Sequence, residues 1–136
     1  MWSRWVYKAR VAQTLYDQLG GETKLRAVID DFVDRVFDDI MIGFFFANAD
    51  KHRIKRFEFQ HASALLGGPA EYAGRPLRQA HAAHPIRGGH FARRMQILRQ
   101  VMAAHGVPPD VQKRWIDHDE ALAGQITSDA VGECND

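Results

Sequence analysis

Seven histidines stand in this 136-residue chain, and His81, His84 and His90 fall within or beside a stretch rich in glycine and proline. Imidazole can serve as a general base, a proton shuttle or a metal ligand, so its neighbours decide which chemistry is open. No Cys or His pair has zinc-finger spacing, and the pair His81-x-x-His84 lacks the glutamate of a metalloprotease helix. The Gly-Gly pairs lack the further residues of a phosphate loop, and no Gly-x-Ser-x-Gly is present. Cys134, the one cysteine, lies in a polar C-terminal stretch, a poor setting for a nucleophile. With the usual enzyme templates absent, a histidine that serves a bound cofactor gains weight.

A haem needs a flat apolar slot, a neutral imidazole on the iron and cations for two propionates, and its protein tunes the iron through these parts. Candidates for each part are present. Phe32, Phe37 and the run Phe44-Phe45-Phe46 offer flat apolar walls, His81 offers the imidazole, and Lys51, Arg53, Lys55 and Arg75 offer charge. Taken singly, an aromatic stripe is ordinary core, and a lone histidine is more often packed than ligating.

These residues must be held by helices. Leu25, Val28, Ile29, Phe32, Val33, Val36 and Phe37 recur at helical spacing, which predicts an amphipathic helix from Glu22 to Asp39. Gly20-Gly21 ends a helical turn or two over Tyr16 to Leu19. Ile40 to Phe46 (IMIGFFF) reads as a buried corner between helices. Asp50 is an N-cap for a second long helix that ends at Gly67-Gly68-Pro69. Its inner stripe is Ile54, Phe57 or Glu58, His61, Ala62 and Leu65. Pro69 to Gly89 is too broken for a long helix, although Pro76 to Ala83 can form a short one. A third long helix from about His90 to His105 buries Phe91, Met95, Leu98, Val101 and Met102. A fourth opens at Pro108-Pro109-Asp110 with Val111, Trp115, Leu122 and Ile126 inward, and Asp129 to Asp136 reads as a loose tail. The expectation is one all-α domain, with a broken segment that a plain four-helix bundle leaves unexplained.

Composition narrows the partners. Lys plus Arg (18) nearly balances Asp plus Glu (17), which gives no basic surface for nucleic acid. No run approaches the roughly eighteen apolar residues of a membrane span. Arg4, Lys8 and Arg10 interrupt the start, unlike a signal peptide, so the expected location is cytoplasmic.

LYDQLGG at Leu15 to Gly21, KLRAVIDDFVDRVFDD, GFFF, and ALLGGPAEYAGRPLRQAHAAHPI from Ala64 to Ile86 followed by GGHF together resemble the truncated haemoglobins, nearest to group I. The resemblance spans about Thr14 to Thr127. Its most specific part is LGGP, then YxGR, then a histidine six residues after that arginine. It implies an N-terminal extension over 1–13, a globin domain over 14–127 and a flexible tail over 128–136. The implied fold is a two-over-two helical sandwich around haem b, with His81 as proximal iron ligand and Phe46 wedged against the haem. Phe32, Val33, Phe37, Phe45, Ile54, Lys55 and Glu58 would line one part of that site. Arg75, Leu77, Ile86 and Phe91 would complete it. Oxygen, nitric oxide and carbon monoxide are the implied ligands, with an electron donor not identified by the sequence and a monomer or weak dimer as the assembly. Nitric oxide oxidation and peroxide chemistry are the implied activities. A haem-based sensor and a haem-free interaction module are the competing readings.

The distal side departs from the family pattern. Val33 stands where the family usually has a tyrosine that donates to bound gas, and such a donor is worth about 1.5–3 kcal/mol. Faster oxygen release is expected. Glu58 replaces the usual glutamine or threonine. Facing an apolar slot, its carboxyl would be pushed toward the protonated form; alternatively it turns outward to Lys55 or Arg56 and Phe57 lines the slot. His61 replaces a usual aromatic and either pairs with Glu58 or packs plainly. His52 as a sixth ligand, His84 as an alternative proximal ligand and Trp115 at the distal edge are further options, each set against an ordinary surface or core role.

Overall fold

The computed structural model describes residues 13–70 and 88–135, with side chains to residue 123. These residues form five α-helices and one 3-10 turn, with no strand among them. Helix α1 spans Leu15–Leu19, opened by a reciprocal cap in which Asp17 N–H donates to Thr14 Oγ1 at 3.1 Å and Thr14 N–H to Asp17 Oδ2 at 3.3 Å. Gly20 and Gly21 both take positive φ (124° and 76°), which lets the chain turn directly into α2, Gly21–Asp38. The periodicity of α2 is largely realised: Leu25, Val28, Ile29, Phe32, Val33 and Val36 are buried, and Phe37 at its end is partly buried.

Helix α3 spans Lys51–Leu65 and is capped by Asp50, whose Oδ1 accepts from Arg53 N–H at 3.2 Å. Helix α4 covers Gly88–Ala104 and α5 covers Pro109–Asn135, with proline at its first position. Helix α2 is central, packing on α1, α3 and α4, while α5 lies against α1, α3 and α4. Leu25, Val28, Leu98, Val101, Met102 and Val111 are fully enclosed between them. Each large aliphatic side chain so enclosed contributes roughly 1.5–3 kcal/mol.

The LGGP string has a mechanical reason. Gly67 takes φ 83° as the chain leaves α3. A Cβ on Gly68 would fall 2.5 Å from Ser63 Oγ and 2.5 Å from Tyr16 Cδ2. Tyr16 N–H donates to the Leu66 carbonyl at 3.0 Å, and Ala70 N–H donates to Ser63 Oγ at 3.2 Å. The glycine therefore lets α1 dock on the end of α3.

Three expectations are corrected. On α3 the buried residues are Phe59, Ala62 and Ser63, with Leu66 just beyond; of the expected stripe only Ala62 is fully buried, while Ile54, His61 and Leu65 are partly enclosed. The helix is rotated toward α1 and α2 because Phe59 packs inward beneath the Arg26 guanidinium, 4.4 Å from its ring, and Ser63 satisfies its hydroxyl internally. The corner is only partly buried. It forms a 3-10 turn, Gly43–Phe46, with Ile42 enclosed, whereas Ile40, Met41 and Phe44 face outward. One tight turn cannot direct every side chain of an apolar run to the same side. Lastly, α5 continues to Asn135, through the stretch expected to be a loose tail. No proline interrupts it, and an isolated glycine costs a helix only about 1 kcal/mol.

Candidate functional site

Helices α2 and α3 meet at the aromatic corner, where the sequence placed the apolar slot. Phe37 stacks on Phe46 with ring centroids 5.2 Å apart, and Phe45 stacks on Phe44 at 4.2 Å. Gly43 permits this close turn, since a Cβ there would fall 2.5 Å from the Phe37 carbonyl oxygen. The edge of His90, from the start of α4, meets Phe45 at 4.8 Å. Its Nδ1 is buried with no hydrogen-bond partner among the described residues. Phe32, Val33 and Phe91 are buried in the core that continues from this corner, and Phe37, Phe45, Phe46 and Ile54 pack half-buried against it. Seven of the expected lining residues are thus brought together. Arg75, Leu77, His81 and Ile86 lie outside the described residues, as do Tyr72 and His84.

Salt links hold this corner in place. Asp39, just after α2, accepts from Met41 and Ile42 N–H and from the Arg93 guanidinium at 2.6 and 3.0 Å. The Arg93 hydrogen bond outweighs burial and holds the Asp39 carboxyl below its ordinary range. The Lys55 ammonium, expected as a propionate cation, lies 3.0 Å from Asp34 and 3.8 Å from Asp30. Its hydrogen bond holds the Asp34 carboxyl low. Lys51 reaches Asp34 at 3.3 Å and sits over the Phe37 ring. His105 Nε2 meets Asp31 at 2.8 Å, a tie between α2 and the end of α4.

The largest departure concerns Glu58. It neither faces a purely apolar slot nor turns to Lys55 or Arg56. Both its oxygens accept from Arg94 Nη2 at 3.3 Å, and Arg94 Nη1 donates to Asp119 Oδ2 at 3.0 Å. One guanidinium thereby links α3, α4 and α5. Its carbon lies 5.0 Å from the Phe32 ring and 5.9 Å from the Phe91 ring, among the apolar residues of the slot. Burial works against the guanidinium's charge, but the two carboxylates outweigh it and raise its pKa above the ordinary arginine value. His61 lies beside His118, ring centroids 5.1 Å apart. Burial, then the neighbouring His61, lowers the His118 pKa. Trp115 is plain core, and His52 is exposed.

Arg94, His118 and Asp119 were not singled out in the sequence, although a signal for two of them existed. Arg94 falls on the inner stripe with Phe91, Met95 and Leu98, and Asp119 falls on that of Trp115 and Leu122. Opposite charges at inward phase on adjacent helices announce a buried pair.

The corner, the glycine-rich exit of α3 and the helical order together define a type. A family model of bacterial-like globins matches residues 14–128. The chain belongs to this family. It is 30% identical over 120 residues to a group 1 truncated haemoglobin of Mycolicibacterium paratuberculosis, covering 88% of each chain. It is 33% identical over 102 residues to that of Synechocystis, covering 72% of this chain and 82% of the other. The crystal structure of a ferric truncated haemoglobin from Tetrahymena pyriformis superimposes with a TM-score of 0.71 at 27% identity, over 87% of this chain and 97% of that one. The fold is accordingly the truncated two-over-two globin, and the globin is a haem protein that binds diatomic gas. The described residues suit the group: a half-exposed aromatic cradle at Phe37, Phe45 and Phe46 presents the flat apolar surface a porphyrin covers.

Proposed function

We propose that this globin holds haem b through His81 as proximal ligand, with Phe46, Phe45, Phe37, Phe32, Phe91 and Ile54 as apolar walls. The observation that carries the reading is the stacked Phe37–Phe46 pair where α2 turns toward α3, half-buried and packed against the core. Leu77, Ile86 and Arg75 complete the cradle, with Arg75 and Lys55 serving the propionates; Lys55 does so by sharing its ammonium with Asp34. Haem supplies an iron centre that takes up oxygen, nitric oxide or carbon monoxide.

The chain's own residues set what the ligand meets. Phe32 and Phe91 exclude water, and Val33 places a side chain without a donor at the distal wall. Glu58 contributes one end of an ion-paired bridge whose donors on Arg94 are turned toward carboxylates. Oxygen therefore leaves quickly, which suits turnover with nitric oxide or an electron donor better than storage. A cytoplasmic monomer or weak dimer fits this role.

The test is spectroscopic. Haem-reconstituted protein should show a Soret band that is lost or displaced in His81→Gly and restored by added imidazole. An unchanged spectrum in that variant would move the ligand to another histidine, and no Soret band in the parent would remove the haem reading.

A further inference from the structure

We propose that His61, His118 and Asp119 form a second metal site, for a borderline divalent ion such as zinc, on the α3–α5 interface. One ligand atom from each residue lies within 4.8 Å of the other two. A tetrahedral ion with bonds of about 2.0–2.1 Å needs donors roughly 3.4 Å apart, so small side-chain rotations close the set. The helical scaffold makes that movement short, because the two imidazole rings already face each other at 5.1 Å with a 48° tilt.

Further observations point to a ligand. The Nε2 of His118 is buried and has no hydrogen-bond partner among the described residues, which is costly for a polar atom that nothing engages. Asp119 is 4% exposed, and its Oδ2 is fixed by Arg94 at 3.0 Å. This is the outer-sphere anchoring that orients ligating carboxylates, and it leaves Oδ1 for the ion. Two carboxylates, Glu58 and Asp119, flank the Arg94 guanidinium, so Asp119 brings a negative charge directly to the two imidazoles. Two imidazoles with one carboxylate select zinc, cobalt, nickel or copper over magnesium and calcium, which favour all-oxygen shells. Three protein donors leave a position for water.

The experiment uses the haem-loaded protein, stripped with chelator and titrated with zinc chloride by calorimetry at pH 7. One equivalent should bind, and His118→Leu and His61→Phe should each weaken it at least about 100-fold, beyond the usual effect of losing an outer-sphere partner. His52→Gln should bind zinc as the parent does. Circular dichroism and the Soret band check that each variant is folded. A crystal of the parent soaked in zinc gives a reading that needs no variant: an anomalous peak between His61, His118 and Asp119 is expected. Zinc binding unaltered in both histidine variants, or no anomalous peak at that place, would overturn the proposal.

Discussion

Replacing Arg94 with methionine should be the most damaging single change in the described core outside a large-to-small substitution. The guanidinium carries both links of a three-helix bridge, with side-chain exposures of 21% for Arg94, 29% for Glu58 and 5% for Asp119. Methionine fills most of the volume, so the loss is electrostatic: two carboxylates remain, and Asp119 cannot reach water. Leaving a fully buried charge unpaired costs about 3–5 kcal/mol. Glu58 can swing toward solvent, which places the expected loss near the lower end, at about 3 kcal/mol. With an unfolding entropy of roughly 2.1 cal/mol/K per residue, that shifts the melting temperature down by about 10 °C. Adding Glu58→Leu and Asp119→Leu to Arg94→Met removes the stranded charges and should recover most of the loss, because a buried ionic cluster is often no better than packed hydrocarbon. Thermal unfolding of parent, single and triple variants at pH 7 makes the comparison. A loss under about 1 kcal/mol in the single variant, the level of a surface pair, would refute the buried-bridge reasoning. So would a triple variant weaker than the single.

Val33→Tyr should slow oxygen dissociation in stopped-flow by tenfold to about a hundredfold, the equivalent of about 1.5–3 kcal/mol for a donor to the ligand; equal rates would mean that another group already donates. Gly68→Ala should cost about 1–3 kcal/mol in urea unfolding, because its Cβ meets Ser63 Oγ and Tyr16 Cδ2 at 2.5 Å, and a neutral result would show that α1 shifts freely on α3. The Asp39 carboxyl is held below its ordinary value of 3.8, so its contribution is present in full above that value and fades as pH falls through the lower folded value. The stability gap between the parent and Asp39→Asn should therefore be constant from pH 7 to about 5 and shrink below 4; a gap unchanged at pH 2 would rule out the Arg93 link as its source.

Much of the frame was legible because it is written in periodicity and caps. The α2 stripe, the Asp50 cap, the Gly20-Gly21 break and the inner face of α4 each follow from local rules, and each is observed. The α3 face was not legible, since which side of a helix is inner depends on partners that the pattern does not name. Phe59 turned inward because Arg26 covers it, and Arg26 lies 33 positions away in sequence. The aromatic corner was identified, but not that a 3-10 turn sends Phe44 outward. Glu58 shows the limit most clearly. Its possible partners were sought within one helical turn, whereas the actual one, Arg94, comes from another helix.

That partner changes what the distal departures mean together. Val33 offers no donor on α2, and Glu58, Arg94 and Asp119 form a polar bridge between α3, α4 and α5. A tyrosine hydroxyl and a guanidinium tied to two carboxylates differ in kind. The hydroxyl can donate to a ligand at no cost to the fold, whereas the Nη1 and Nη2 bonds of Arg94 to Asp119 and Glu58 also hold α4 to α5 and α3. A ligand that displaced Glu58 or Asp119 from Arg94 would be coupled to the stability of the helix packing, and the coupling would be reciprocal.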